Sequence, residues 1–158
     1  MYRESIDSPV GPLTIMADDE AIKMISFEQK SLADNPSSLT TKCGSELAEY
    51  FHGTRTTFSV SLAPEGTPFQ LRVWSELLKI PYSRSVTYSD IATRLGDIKK
   101  IRAAATANGK NPIPIIIPCH RVIGKDGSLT GFSGGLDKKA WLLRHEGIIS
   151  GAQMPIFS

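Results

Sequence analysis

The pattern of apolar and polar positions predicts a small antiparallel sheet at the start of the chain. Apolar residues cluster in 13–17 and 21–27, and each cluster follows a turn rich in Pro, Gly or Asp. Two strands joined in this way are typical of an antiparallel meander. The alternating, β-branched segment 56–62 predicts a further strand. Between them, apolar positions at helical spacing over 39–51 predict an amphipathic helix that buries Cys43.

The second half of the chain is dominated by helical patterns. A capping box begins at Thr67 and predicts a helix that ends before Pro81. Two short helices follow, one capped by Ser89 and one capped by Asp97, with a tight turn at Gly96 between them. A helix, a glycine turn and a second helix in this order are typical of a helix-turn-helix motif.

The second helix of this pair has two chemically different faces. Ile98, Ile101 and Ala105 share one face, which we predict to pack against the core. The other face is small and basic, so a DNA backbone could approach it closely. Its residues are Lys99, Arg102, Ala103, Thr106 and Lys110. Many helical hairpins bind no nucleic acid, so the pattern leaves DNA binding as one interpretation among others.

The charge of the chain is unevenly distributed. The formal net charge is +2, but residues 1–66 carry 5 basic and 10 acidic side chains, whereas residues 94–125 carry 7 basic and 1 acidic. A basic block in a nearly neutral chain favours a polyanionic partner. A basic face that is merely solvated remains an equally good interpretation of the charge alone.

The turn-forming segment 63–66 is the predicted boundary between two domains. They comprise residues 1–66 and 67–150, and a tail follows over 151–158. The first residues lack the apolar stretch of a signal peptide, and no apolar run is long enough to span a membrane, so we expect a cytoplasmic protein. The two cysteines make no disulfide framework, and no Cys/His spacing suits zinc, so no metal is predicted.

A thiol, an imidazole and a guanidinium follow one another directly after the apolar run 113–117. They belong to Cys119, His120 and Arg121. The thiolate is the nucleophilic form of cysteine, and cationic neighbours favour it, so Cys119 is a candidate nucleophile. Free cysteine is also among the most frequently buried residues, which leaves a plain core position open. If the segment is extended, Cys119 and His120 point to opposite faces and couple only through a water or a turn.

An acidic residue ends the last predicted helix, which we expect Asp137 to cap. Glu146 lies at its C-terminus, where the helix dipole disfavours negative charge by some tenths of a kcal/mol. Such a position suggests a role outside the helix, although the penalty is small enough to be accidental.

These features occur together in one known family. The sequence Pro-Cys-His-Arg-Val at 118–122, with Asn-Pro at 111–112, Ser-Gly-Gly at 133–135 and the segment 141–147, resembles O6-alkylguanine-DNA alkyltransferase. The resemblance implies an α+β fold. Its N-terminal part would be a small antiparallel sheet with one helix, ribonuclease H-like, and its C-terminal part a mostly helical winged helix-turn-helix domain carrying the active site.

The resemblance also implies a reaction. The alkyl group, typically methyl, would pass from O6 of guanine, and also from O4 of thymine, in double-stranded DNA to Cys119 in one irreversible turnover. Minor-groove binding, base flipping and the absence of any cofactor would accompany it. His120 would be the base that acts through a water, and Glu146 would orient it. Arg102 would enter the duplex in place of the flipped base, beside Ala103.

The same resemblance places the base pocket and a structural bridge. The Tyr88 hydroxyl would donate to guanine, the Val122 carbonyl would accept from its exocyclic amine, and the Ser133 backbone N–H would donate to O6. Phe132 stands where many relatives have tyrosine. Asn111 would connect the helix-turn-helix to the active-site segment.

Two other functions remain open at this point. A lesion sensor would flip alkylated guanine without repairing it, but relatives of that kind replace the acceptor cysteine. A Cys-His-Glu hydrolase would need an oxyanion site and would have no use for a basic helix-turn-helix. We expect a monomer, and the sequence leaves cooperativity on DNA open.

Overall fold

The chain divides into two compact units, Met1–Glu65 and Gly66–Ser158. Each is described separately below. The structure is a computed structural model. It describes residues 1–28, 33–129, 132 and 134–149, together with the backbone of 156–157.

The first unit contains a three-stranded antiparallel sheet with a helix packed against it. The elements are β1 (Tyr2–Ile6), β2 (Leu13–Ala17), β3 (Ile22–Ser26) and α1 (Ser38–Phe51). The strand order is β1-β2-β3, so the predicted meander is confirmed. Leu13, Ile15 and Ala17 of the central strand are fully buried. The sequence pattern missed β1, because the strand presents polar side chains at most of its positions.

Helix α1 forms where the apolar stripe predicted it. Ser37 and Thr40 complete a capping box at its N-terminus, in which each side chain accepts from the other residue's backbone N–H. Cys43 and Leu47 are fully buried, which confirms Cys43 as a core residue. Gly53, with φ near 80°, takes the left-handed conformation that commonly follows a helix end.

The strand predicted over 56–62 is wrong. In that segment only Leu62 forms a bridge to the sheet, opposite Ile22. The backbone N–H and the hydroxyl of Ser59 both donate to the buried carboxylate of Glu46 instead. The Glu46 carboxylate therefore accepts from a backbone N–H that a strand would use for pairing with its neighbour. The alternating sequence pattern alone does not reveal this.

The second unit is mostly helical with short strand pairs. Its helices are α2 (Pro68–Leu77), α3 (Tyr88–Arg94), α4 (Ile101–Gly109) and α5 (Leu136–His145). Two single-turn 3₁₀ helices cover Ile98–Lys100 and Cys119–Arg121. The strands are β4 (Val86–Thr87), β5 (Val122–Ile123), β6 (Ser128–Leu129) and β7 (Ile156–Phe157), which pair in parallel as β4 with β5 and β6 with β7. Together with the first unit, this confirms the α+β class.

Helix α2 anchors the helix-turn-helix. Thr67 caps it as predicted, with the reciprocal bond from Gln70, but the helix ends at Leu77, three residues before the expected end. Trp74 is buried, and its indole N–H donates to the carbonyl of Ala107 on α4 at 2.9 Å. This bond satisfies the buried indole and fixes α4 against α2.

The caps of the helix pair differ from the prediction. Thr87, not Ser89, caps α3, and it forms a capping box with Asp90. Asp97 caps the 3₁₀ turn Ile98–Lys100 rather than a regular α-helix, and α4 begins only at Ile101. A sequence pattern does not distinguish a 3₁₀ turn from the first turn of an α-helix, since both use the same capping residues.

The predicted core face of α4 is wrong as well. Ile98 is 53% exposed and Ile101 is 37% exposed, whereas Ala104 and Ala107 are buried. The 3₁₀ turn places Ile98 outside the α-helical spacing on which the prediction relied. Small side chains on the buried face let α4 pack closely on its neighbours.

Helix α5 contains most of the last segment of the motif series, residues 141–147. Its N-cap is Gly135, with φ near 98°, and the expected cap Asp137 lies in the first turn. Leu142 and Leu143 are fully buried, and so is the side chain of Lys139 on the same face. Within the described part of the chain, no helix is both long and apolar enough to cross a membrane.

Candidate active site

Cys119 begins a 3₁₀ turn rather than lying in an extended segment. The turn is closed by the backbone N–H of Arg121, which donates to the carbonyl of Pro118 at 3.0 Å, and by that of Val122, which donates to the carbonyl of Cys119. The alternative of an extended segment at Cys119 is therefore wrong. Successive side chains project about 120° apart in such a turn, so Cys119 and His120 do not point to opposite faces.

Asn111 holds the segment that leads to Cys119. Its Nδ2 donates to the carbonyl of Ile117 at 2.7 Å, and its Oδ1 accepts from the N–H of Ile113 at 3.0 Å. Ile115, between these two bonds, has φ near 75°, which is unfavourable for a β-branched residue. Its side chain is fully buried. The two Asn111 hydrogen bonds and the burial of Ile115 together hold this strained turn, which lies four residues before Cys119.

Glu146 is the centre of a buried polar cluster. Its Oε2 lies 2.6 Å from Nε2 of His120, and its Oε1 accepts from Nε of Arg121 at 2.8 Å. Arg121 also donates to the carbonyl of Ile80 at 2.7 Å. The backbone N–H of Ser83 donates to Oε1 at 3.1 Å. Glu146 is the C-cap of α5, where the helix dipole disfavours negative charge. Its bonds to His120 and Arg121 offset that penalty.

The pKa values of this cluster define its protonation states. Burial opposes ionisation of Glu146, but the hydrogen bonds and charges of His120 and Arg121 outweigh it and hold the pKa of the carboxyl well below its usual range. Burial lowers the pKa of His120, although Glu146 acts in the opposite direction. His120 is therefore a neutral imidazole at pH 7, with Nε2–H donating to the carboxylate.

The second ring nitrogen of His120 is available for chemistry. With Nε2 engaged, Nδ1 carries the lone pair of the neutral ring. Nδ1 is buried, and among the residues that the structure describes it has no hydrogen-bond partner. A buried acceptor of this kind can take a proton from a neighbouring thiol, directly or through a water.

The two cysteines have different surroundings. Burial, with a smaller contribution from the carboxylates of Glu46 and Glu4, raises the pKa of Cys43 to about 12. Burial of Cys119 outweighs a hydrogen bond from Asn111 and the charge of Lys139, and the net effect raises its pKa to about 11. The polar neighbours of Cys119 therefore offset part of the cost of forming a thiolate, whereas the neighbours of Cys43 add to that cost.

A parallel strand pair connects the segment before Tyr88 with the segment after Cys119. Val86 and Thr87 of β4, which directly precede Tyr88, pair with Val122 and Ile123 of β5, which directly follow the Cys119 turn. Tyr88 and Phe132 are both buried. Ser133 lies outside the described residues.

The predicted DNA-facing side chains share the surface of the helix-turn-helix. All five are exposed, namely Lys99, Arg102, Ala103, Thr106 and Lys110. The exposed side chains of Ile98 and Ile101 lie in the same part of the chain, so this surface is apolar as well as basic. In the described part of the chain, no three His, Cys, Asp or Glu side chains are grouped to hold a metal ion.

Sequence reasoning missed three residues of this site. Arg121 was given no role of its own, and it binds the same carboxylate as His120. Asn108 was given no role either, and its Nδ2 donates to the carbonyl of Cys119 at 3.3 Å. Lys139 was not noticed. Its position, three and four residues before two buried leucines of α5, was the signal that could have revealed a buried lysine.

The comparisons with known proteins cover both units. Residues 1–64 match the family model described as 6-O-methylguanine DNA methyltransferase, ribonuclease-like domain. Residues 68–148 match the one described as 6-O-methylguanine DNA methyltransferase, DNA binding domain. These descriptions agree with the fold class predicted for each half of the chain.

Individual proteins are similar over nearly the whole length. The methylated-DNA–protein-cysteine methyltransferase of Methanosarcina acetivorans is 44% identical over 154 residues, which cover 93% of this chain and 99% of that protein. The Haemophilus influenzae protein of the same name is 43% identical over 94% of this chain and 87% of its own length. A crystal structure of Mycobacterium tuberculosis OGT in complex with DNA has a TM-score of 0.85 and 40% identity, with 92% of each chain covered. The chain belongs to the 6-O-methylguanine DNA methyltransferase family.

Proposed function

We propose that the chain repairs alkylated DNA by direct reversal, with Cys119 as the acceptor of the alkyl group from O6 of guanine. The observation that carries the proposal is the buried Cys119 turn next to the His120–Glu146 pair, whose Nε2···Oε2 distance is 2.6 Å. Family membership over both units supports the same reaction. The thioether that forms is stable, so each protein acts once.

Residues of this site account for the proton that moves and for the bonds that form and break in the chemical step. The thiol proton of Cys119 passes through a water to Nδ1 of His120, and Glu146 stabilises the imidazolium that results. The sulfur then attacks the alkyl carbon, so an S–C bond forms and the C–O6 bond breaks. Its electron pair leaves on guanine, where a hydrogen bond from the Tyr88 hydroxyl helps neutralise the charge.

The base must leave the stack to reach the buried thiol. Flipping costs about a few kcal/mol, and less for a damaged pair. Arg102 fills the gap in the duplex, and Ala103 beside it permits a close approach to the minor groove. Lys99 and Lys110 contact phosphates, and Thr106 lies on the same exposed face.

The pocket around the flipped base is formed by the segments that flank Cys119. The Val122 carbonyl accepts from the exocyclic amine, Phe132 packs against the alkyl group, and the Ser133 N–H donates to O6. The same pocket accepts O4-alkylthymine. Asn111 couples the helix-turn-helix to the thiol segment through its bonds to Ile113 and Ile117.

The proposal extends to the setting of the reaction. The partner is double-stranded DNA containing O6-alkylguanine, and the protein acts in the cytoplasm as a monomer without a cofactor.

A stoichiometric repair assay tests this function. Increasing amounts of duplex containing O6-methylguanine are mixed with wild-type protein, and the remaining lesion is counted. We expect repair to stop at one lesion per protein, to persist in Cys43→Ser and to be absent in Cys119→Ser. Continued turnover would indicate a hydrolase, and lesion binding without repair would indicate a sensor.

A further inference from the structure

The buried face of α4 carries one polar side chain that the mechanism above does not use. Asn108 lies in the last turn of the helix and is 1% exposed. Ala104, four residues earlier on the same face, is buried and apolar. Asparagine is a poor helix former, and a buried amide loses its bonds to water. The position of Asn108 therefore calls for an explanation other than helix stability.

The amide of Asn108 contacts the proposed alkyl acceptor. Its Nδ2 donates to the backbone carbonyl of Cys119, 11 residues further along the chain, at 3.3 Å. The same carbonyl also accepts from the backbone N–H of Val122, which closes the turn. The Cys119 turn is thus bonded both to itself and to the helix that precedes it.

Two asparagine amides hold the thiol segment at two neighbouring points. Asn111 donates to the carbonyl of Ile117 at 2.7 Å, and this carbonyl also accepts from the backbone N–H of Cys119 at 2.8 Å. Asn108 holds the carbonyl of Cys119 itself. Asn111 therefore fixes the approach to the turn, whereas Asn108 fixes the residue that carries the sulfur.

Stability of the fold does not account for the amide of Asn108. Its Oδ1 is buried and has no hydrogen-bond partner among the residues that the structure describes. An unsatisfied buried acceptor is unfavourable. Without the amide, the carbonyl of Cys119 would still be bonded to Val122. An apolar side chain of similar size would therefore remove one unsatisfied group and create none.

Helix α4 connects this contact to the proposed DNA surface. Arg102 is exposed in the first turn of the helix, and Asn108 is buried in the last turn. The last turn is itself fixed, because the indole N–H of Trp74 donates to the carbonyl of Ala107 at 2.9 Å. The amide of Asn108 thus joins the turn that carries the thiol to the helix that carries the proposed DNA contacts.

We propose that Asn108 is a positioning residue for alkyl transfer, whose amide fixes the Cys119 turn to α4, so that docking of this helix on DNA places the sulfur in line with the alkyl carbon. This rests on the proposed function. Asn108 exchanges no proton and forms no covalent bond. Its role is separate from that of Asn111, which holds the segment before the turn.

The first test compares the wild type with Asn108→Leu in single-turnover methyl transfer from duplex DNA containing O6-methylguanine. At saturating DNA we expect a rate about tenfold lower, because small misplacements of a reacting atom slow the chemical step. The DNA concentration at half-maximal rate should be unchanged, and the melting temperature should equal or exceed that of the wild type. An unchanged rate at saturation would overturn the proposal.

The second test measures the hold on the turn without DNA. Iodoacetamide is added, and carbamidomethylation of the Cys119 and Cys43 peptides is followed by mass spectrometry. In Asn108→Leu we expect Cys119 to react about threefold faster, because its buried turn opens more often, and Cys43 to react as in the wild type. If Asn108 only stabilised the fold, both cysteines would change together and the melting temperature would fall, which would refute the proposal.

The matched control is an asparagine on the surface of the first unit. Asn35 is exposed, and its bridge to the sheet uses backbone groups alone. Asn35→Leu makes the same chemical change as Asn108→Leu, and it should leave methyl transfer and the reactivity of Cys119 unchanged. A slower transfer in this control would show that the effect is not specific to Asn108, and would contradict the proposal.

A measurement on the wild-type protein does not depend on a variant's folding. In a ¹⁵N-labelled sample, hydrogen exchange of the side-chain amide of Asn108 is followed by NMR. We expect it to exchange far more slowly than that of Asn35, and equal exchange would refute the hydrogen bond to Cys119. The exchange and iodoacetamide readouts involve no DNA. A failure of the wild type to repair O6-methylguanine would therefore contradict the proposed function, whereas these two readouts decide separately whether Asn108 holds the turn.

Discussion

A carboxylate buried at the end of a helix would ordinarily be unfavourable, and Glu146 illustrates how single residues offset that cost. His120, Arg121 and the backbone N–H of Ser83 all bind it. The same bonds fix the tautomer of His120, which leaves its Nδ1 as the acceptor. One residue thereby serves both the stability of the unit and the proposed proton transfer.

Replacement of Glu146 by glutamine should affect both properties. Removing one partner of a buried charge cluster leaves Arg121 uncompensated, so we expect a loss of about 3–5 kcal/mol in the free energy of unfolding. Methyl transfer should slow on the order of 100-fold, because His120 loses the group that stabilises its protonated form. Urea denaturation and single-turnover kinetics measure the two effects.

A surface glutamate provides the control for that variant. Glu65 pairs with Lys23 at 3.1 Å, and its side chain is 83% exposed. Glu65→Gln should change the free energy of unfolding by about 1 kcal/mol or less. Equal effects of the two substitutions would contradict the special status of Glu146.

The pH dependence of the reaction follows from His120. Because burial lowers its pKa from 6.5, the basic form persists below the usual imidazole range. The rate of methyl transfer should therefore stay constant on acidification to about pH 6.5 and fall only below it. A decline centred above pH 6.5 in a pH–rate profile would contradict this assignment.

The stability of the fold should depend on pH in the same direction. The folded-state pKa values of His120 and Glu146 are both depressed, so the unfolded chain binds protons more readily. Their contribution is fully present above the unfolded pKa of each group, about 6.5 and about 4.3, and is lost as the pH falls. Denaturation at several pH values should show this loss in the wild type and a smaller one in Glu146→Gln.

At the level of elements, the 3₁₀ turn before α4 determines what the helix-turn-helix presents to DNA. It exposes Ile98 and Ile101 beside Lys99 and Arg102, where a regular helix would have buried the two isoleucines. The proposed DNA surface therefore combines charge with apolar contact, and these two contributions respond differently to salt.

Two substitutions separate these contributions. Lys99→Ala should weaken DNA binding and reduce the slope of log K against log salt by about 1, because one phosphate contact is lost. Ile101→Ala should weaken binding with an unchanged slope, since an apolar side chain releases no counterion. Titrations at several salt concentrations measure both slopes. A reduced slope for Ile101→Ala, or an unchanged one for Lys99→Ala, would show that the assignment is wrong.

The elements also show where sequence patterns are informative. The capping box at Thr67 and the glycine turn at Gly96 follow from local chemistry, and both occur in the structure. The 3₁₀ conformation of the Cys119 turn does not follow from local chemistry. It depends on side chains such as Asn111 and Arg121, whose partners are distant in sequence or set by the fold.

At the level of the whole molecule, acidic and basic residues are distributed unequally between the two units. The acidic excess lies in residues 1–66 and the basic excess in 94–125, within the second unit. The motif series revealed the family and Cys119, because those residues carry the chemistry. It did not reveal Lys139 or Asn108, because their hydrogen bonds to the carbonyls of Val122 and Cys119 arise only in the folded chain.

The whole-molecule account also predicts independence from metal ions. Neither the sequence spacing nor the proposed mechanism uses one, so prolonged treatment with EDTA should leave the melting temperature and methyl transfer unchanged. Loss of either property, with recovery on addition of zinc, would contradict the prediction.

The most direct test of the central claim locates the transferred group. The protein is mixed with an excess of duplex DNA containing O6-methylguanine, and its intact mass and peptide masses are measured. The account predicts one methyl group per protein, on the Cys119 peptide, and none on the Cys43 peptide. Repaired DNA with an unmodified Cys119 would contradict it.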